Sequence, residues 1–247
     1  MTAATPRAAQ RPERDSDEFA AQVQGMFERI AGVYDLMNTA MTAGMHHRWR
    51  ALAADRAELS PGDRALDVCC GTGDLAIELS RRCGPEGAVV GCDFSERMLE
   101  LARGKAEPLG ASAPTFEWAD ALELPYDDGS FDAVTVGFGV RNLADIEAGI
   151  AEMGRVLNPG GRMVILEITQ PRRPPLSSFC ALWFERVVPL LGTVAGDRDA
   201  YSYLPESVKR FPSPHGLAEI MDATGFERIR WLLLAGGIIA IHSGVRR

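Results

Sequence analysis

Gly71-Thr-Gly-Asp-Leu-Ala76 directly follows the apolar run Ala65-Leu-Asp-Val-Cys-Cys70, and the two together have the make-up of a backbone turn that holds a ligand. Gly71 and Gly73 let the chain turn sharply and let a small molecule approach it without meeting a Cβ. Asp93 ends Gly91-Cys-Asp93, 20 residues past Gly73. At the tip of the next parallel strand its carboxylate can accept hydrogen bonds from a ribose. A turn-capping or helix-capping carboxylate is the alternative for Asp93. Thr72 can hold an amino or carboxylate end through its hydroxyl or backbone, and Phe94 adjoins the ribose position. Asp67, inside the strand, either orients the glycine turn or accepts from a ligand ammonium. The set points to an adenosine-containing small molecule.

A G-x-G-x-x-G/A match alone also fits a dinucleotide such as NAD. Three features turn the reading toward S-adenosylmethionine. Asp120 follows a third short strand, where a carboxylate can accept from an adenine amino group while Ala121 leaves room for the ring; a surface turn is the alternative for Asp120. Helical segments precede the fingerprint. The chain closes with two strands joined by glycines, where a dinucleotide fold has a second mononucleotide half.

These residues need parallel strands to hold them. Apolar spacing predicts a helix from Val23 through Met26, Phe27, Ile30 and Ala31 to Tyr34, with Leu36, Met37 and Met41 beyond it. A second helix covers about 46–58 and stops at Ser60-Pro-Gly62. Both precede the first strand and can cover the rim where a ligand lies. Strands follow at 64–69, 88–92, 115–118, 131–136 and 162–168, with helices at 74–83, 95–105 and 145–157. Ser95 reads as a helix cap, and Asn158-Pro-Gly-Gly161 ends a helix and turns into a strand. After the proline-punctuated stretch 171–214, a helix at 217–224 leads to a hairpin at 226–233 and 238–243. The fold class is α/β: a Rossmann-like class I methyltransferase fold, with a seven-stranded, mostly parallel sheet and a C-terminal antiparallel hairpin. Residues 1–19 read as a flexible leader and 20–247 as a single domain, with a helical cap (20–60) and an inserted substrate lid (171–214).

A formal charge of −8 offers no basic surplus to hold a nucleic-acid backbone. The five cysteines lack C-x-x-C spacing and the four histidines lack H-E-x-x-H, so neither a disulfide framework nor a metal site is expected. The acidic, polar leader is neither a secretory signal nor a membrane anchor, and a cytoplasmic location fits.

The chain resembles the menaquinone/ubiquinone C-methyltransferase family over about 27–244. The resemblance is carried by Tyr34-Asp-Leu-Met-Asn38, Met45-His-His-Arg-Trp49, Asp67-Val-Cys-Cys-Gly-Thr-Gly-Asp74 and Ala119-Asp-Ala121. It continues in Gly137-Phe-Gly-Val-Arg-Asn142, Arg155-Val-Leu-Asn-Pro-Gly-Gly161, Tyr203-Leu-Pro-Glu-Ser207 and Gly237-Ile-Ile-Ala-Ile-His242. The glycine turn and Pro-Gly-Gly are widespread among methyltransferases; the Tyr34, Gly137 and Tyr203 blocks are more specific. The resemblance implies methyl transfer from S-adenosylmethionine to a ring carbon of a prenylated quinol. Demethylmenaquinol would give menaquinol; 2-polyprenyl-6-methoxy-1,4-benzoquinol of ubiquinone synthesis is the alternative, and another small aromatic or lipid a further one. Cys69-Cys70 resembles the menaquinone branch. Peripheral contact with the inner face of the cytoplasmic membrane and a homodimer are further implications.

Quinol chemistry needs neither a metal nor a covalent nucleophile. Losing a phenolic proton activates the ortho carbon, so the protein supplies alignment, charge placement and dry surroundings. Arg141 and Asn142 follow the fourth strand at the ligand edge of the sheet. Arg141 stays protonated, so it stabilises a developing phenolate or positions a water, while Asn142 orients the ring oxygen. A strand-end network anchoring the next helix is the alternative. Tyr34, Asp35 and Asn38 close the pocket from the N-terminal side or pack there; Tyr201 and Tyr203, with Arg198-Asp199, order the lid. His46 and His47 rank behind Arg141 as proton carriers. The apolar stretch Phe179–Leu191 receives the tail, rests on a membrane, or packs in the core or against a second copy.

Overall fold

The computed structural model describes residues 13–171, 182–183 and 198–247. Five parallel strands form most of its sheet: β1 (Arg64–Val68), β2 (Ala88–Asp93), β3 (Thr115–Trp118), β4 (Phe131–Gly137) and β5 (Leu157–Ile168). The terminal hairpin, β6 (Phe226–Leu234) and β7 (Ile239–Arg246), adds two antiparallel strands in the order β3-β2-β1-β4-β5-β7-β6. The order turns back between β1 and β4, and ligands of such sheets lie beyond the strand tips at that point.

Alternation along the strands serves two helical layers. Ala65, Ala133, Val164 and Leu166 pack with α2 (Met45–Arg56), α3 (Asp74–Cys83) and α4 (Glu96–Ala106). Leu66, Val68, Val134, Val136 and Ile165 face α5 (Ile146–Val156) and α7 (Pro214–Ala223). The helix starts are capped: Ser95 Oγ accepts from Met98 N at 3.3 Å and Asp145 Oδ1 from Ala148 N at 2.9 Å. Each such cap contributes about 1 kcal/mol.

α1 (Glu13–Thr42) lays Val23, Met26, Ile30 and Met37 against Phe94, Tyr203 and Leu204, the last two on α6 (Arg198–Arg210). Its described part begins at Glu13, within the stretch 1–19 read as a flexible leader. β5 also begins earlier than the sequence suggested. It absorbs Asn158-Pro-Gly-Gly161 as an irregularity between the pairs Phe131–Leu157 and Ala133–Arg162. Of Phe179–Leu191, only Leu182 and Trp183 lie within the described residues, and the side chains of Arg198, Asp199 and Tyr201 lie outside them.

Candidate active site

Two cavities lie under α1, and the residues that divide them decide what each can hold. The smaller, about 120 Å³, is lined by Gly71, Asp93, Phe94, Asp120, Ala121 and Asn142 among others. The larger, about 390 Å³, is walled mainly by apolar side chains, including Met26, Ile30, Met37, Met41 and Trp183, and reaches Asn38, Arg141 and Tyr203.

In the smaller cavity the sequence signals converge. Asp93 ends β2 and is buried; Oδ2 accepts from Gly71 N at 2.8 Å and Oδ1 from Ser95 N at 3.0 Å. The carboxylate thus fixes the glycine turn to the neighbouring strand tip. Burial pushes it up to about 6, against the hydrogen bonds that favour its charged form. Gly71 takes φ +55, and a Cβ there would meet nothing within 4 Å, so the space above it is open for a ligand. Asp120 is exposed, with Oδ1 accepting from Leu122 N at 2.8 Å. Helix α1 roofs this end, where Gln24 Nε2 donates to Phe94 O at 2.6 Å. Two carboxylates beside an open backbone turn and a small alanine suit the ribose and adenine of S-adenosylmethionine.

In the larger cavity Arg141 is clamped. Its Nη1 donates to Glu167 Oε2 at 3.0 Å and Oε1 at 3.1 Å, and to Phe138 O; its backbone N donates to Glu167 Oε1 at 3.2 Å. Glu167 is 1% exposed. Arg141 Nε is buried with no hydrogen-bond partner. Tyr203 Oη donates to Asn142 Oδ1 at 3.2 Å, linking the two cavity walls, and burial raises the phenol so that it stays protonated.

Four residues named from the sequence, Asp35, Thr72, Gly73 and Asp67, line neither cavity. Asp35 Oδ1 accepts from Thr72 Oγ1 at 2.6 Å and Oδ2 from Lys105 Nζ at 2.7 Å. One helical step rotates it about 100° from Tyr34, whereas Asn38, four residues on, shares the Tyr34 face. The Thr72 hydroxyl is consequently occupied, clasping α1 to the glycine turn. Gly73 serves packing; at φ +82, a Cβ there would lie 2.8 Å from Phe116 Cζ. Asp67 lies on the face of β1 opposite Val68, with Oδ1 accepting from Thr135 Oγ1 at 2.7 Å and Oδ2 buried without a partner. Burial raises it to about 7.

Sequence reasoning missed Glu167, Lys105 and the role of Phe138, because each acts through partners far away in the chain. It also missed that His46, His47 and Asp74 gather within 4.8 Å of one another. Arg50 bonds His46 Nδ1 and lies 3.7 Å from Asp74, and Lys105 Nζ donates to Asp74 at 2.6 Å, so that cluster already has its positive charge. Burial lowers His46 to about 4, leaving it neutral and weakly basic.

The parallel sheet, the glycine turn pinned by Asp93 and the adenosine-sized acceptor set define an S-adenosylmethionine-dependent methyltransferase. Its fold is similar to that of a SAM-dependent methyltransferase from Aquifex aeolicus, with a TM-score of 0.56 and 20% identity, covering 76% of this chain and 85% of that one. A sequence profile of the ubiE/COQ5 methyltransferase family matches residues 14–246, and the chain belongs to that family. It is 47% identical to a demethylmenaquinone methyltransferase of Deinococcus radiodurans, over 96% of this chain and 97% of that protein. The same name and identity hold for a relative from Thermus thermophilus, over 90% of this chain and all of that protein. A ubiquinone/menaquinone biosynthesis C-methyltransferase UbiE of Teredinibacter turnerae is 38% identical, over 92% of each. Among the described residues no helix is long and apolar enough to cross a membrane.

Proposed function

We propose that the chain methylates a ring carbon of demethylmenaquinol to give menaquinol, with S-adenosylmethionine as donor. The observation that carries this reading is the junction, at Phe27, Tyr34 and Phe138, of a cavity bearing two carboxylates with a larger apolar one that reaches Arg141. The donor supplies an electrophilic methyl group; the chain's own residues prepare the acceptor. The apolar cavity takes the fused ring and the start of the prenyl tail and keeps water out. Arg141 Nε, held by Glu167, donates to the ring oxygen and stabilises the phenolate that activates its ortho carbon. Asn142, on the donor side, holds Tyr203, which lines the larger cavity and orients the ring, and a water held at this edge takes the proton released after methyl addition. His46 is too weak a base for that step. Relatives named for demethylmenaquinone share 39–47% identity with the chain, against 38% for those named for both quinones, which favours the naphthoquinol. Because a prenyl tail partitions into lipid, this reading includes peripheral contact with the membrane that holds the substrate.

The test is competition between demethylmenaquinol and 2-polyprenyl-6-methoxy-1,4-benzoquinol, with products identified by mass spectrometry. Methylated naphthoquinol should dominate. Dominant benzoquinol methylation would reverse the substrate assignment, and no methylated product from either quinol would remove the quinol reading.

A further inference from the structure

The smaller and larger cavities share three lining residues, Phe27, Tyr34 and Phe138, and all three are aromatic. The rings come from opposite sides of the crevice. Phe27 and Tyr34 lie on α1, seven residues apart on one face, and meet edge to face with centroids 6.1 Å apart. Phe138 follows β4 in the left-handed region, at φ +62, a conformation that a bulky residue rarely adopts and that tends to persist where the surroundings enforce it. Its surroundings do so. Phe138 N donates to Leu166 O at 2.8 Å, and its carbonyl accepts from both Arg141 Nη1 and Asn142 Nδ2. The Arg50 guanidinium lies 5.6 Å from its ring centroid and is itself held by His46 and Asp74.

We propose that Phe27, Tyr34 and Phe138 form an aromatic collar that recognises the positive charge of the donor's sulfonium. Ring faces attract cations through their quadrupole, and the attraction grows when water is excluded. The collar therefore holds the charged donor more tightly than the neutral thioether left after methyl transfer, which favours product exchange. This deepens the function proposed above and rests on its assignment of donor to the smaller cavity and acceptor to the larger one. A purely apolar wall of the same volume would exclude water equally well but would not distinguish the two ligands by charge.

The test is calorimetric titration of the full chain with S-adenosylmethionine, with S-adenosylhomocysteine, and with an analogue bearing a protonated amine in place of the sulfonium methyl. Wild type is compared with Phe27→Leu, Tyr34→Leu and Tyr34→Phe. Each variant supplies its own ratio of thioether to cation Kd, so a general weakening of the site cancels. The ratio should fall about two- to tenfold in each Leu variant, for both cationic ligands, and stay near wild type in Tyr34→Phe, which keeps the ring. If one Leu variant fails to fold, the other still decides the matter. Unchanged ratios in the folded Leu variants, or an equal loss in Tyr34→Phe, would overturn the collar. Loss of quinol turnover plays no part in these ratios. A preparation that methylates neither quinol yet shows the shifts would keep the collar and sink the substrate assignment.

Discussion

Asp93 carries the heaviest prediction because one carboxylate both shapes the glycine turn and faces the cavity. Its oxygens already accept from Gly71 N and Ser95 N at 2.8 and 3.0 Å, and a ribose would use remaining lone pairs. Hydrogen bonds to a charged group contribute about 1.5–3 kcal/mol each, and neutral ones roughly half as much. Asp93→Asn should therefore cost about 2–3 kcal/mol of S-adenosylmethionine affinity, or about 30- to 160-fold in Kd. Burial gives the carboxyl a second signature. With its value at about 6, the carboxylate is about tenfold less populated at pH 5 than at pH 7. Wild-type Kd should thus rise about tenfold over that interval, and the Asn variant should lose this component, leaving any remainder to Asp67. Calorimetric titration at both pH values, with thermal unfolding to confirm an intact turn, measures each effect. A wild-type Kd independent of pH, or an Asn variant within threefold of wild type, would refute the assignment.

Asp67 reports on stability in the opposite sense from a paired carboxylate. Its folded value of about 7 lies above the ordinary 3.8, so the folded chain holds a proton that the unfolded chain releases between those values. The stability that proton confers is complete below about pH 4 and is lost as pH rises through about 7, up to about 4 kcal/mol in all. Asp67→Asn should gain on wild type in denaturant titrations from pH 5 to pH 8; a constant difference would contradict the buried, uncharged state. Gly73→Ala combines a left-handed φ with overlap on Phe116 and should cost about 2–4 kcal/mol, checked by urea unfolding; under 1 kcal/mol would mean that the turn relaxes freely. Arg141→Lys keeps a charge near Glu167 but removes the Nε donor, so saturated turnover should fall about 100-fold while S-adenosylmethionine Kd stays within threefold. Equal loss in both would return Arg141 to a structural role.

Local signals carried most of the fold. The turn chemistry at Gly71 and Gly73 and the cap at Ser95 placed α3 and α4, and strands alternating with helices implied the parallel sheet. In the site, the placement of Asp93, Asp120, Arg141 and Asn142 beside the two cavities was legible, because strand tips at a topological switch point border the crevice. Asp35 was not: neighbours in a helical sequence need not share a face, and its partners Thr72 and Lys105 lie 37 and 70 positions away. Glu167 escaped notice for the same reason, since nothing in Ile165-Leu-Glu167 announces that Arg141 closes on it. Phe138 was quoted as part of a motif, but its left-handed backbone and its place between two cavities exist only in three dimensions.

A crystal structure with S-adenosylmethionine and an unreactive prenylated naphthoquinol would test the account most directly. It should show the ribose on Asp93, the sulfonium within the ring of Phe27, Tyr34 and Phe138, and the acceptor oxygen on Arg141 Nε with the tail in the larger cavity. A donor whose methyl points away from that ring, or a naphthoquinol seated outside the larger cavity, would contradict it.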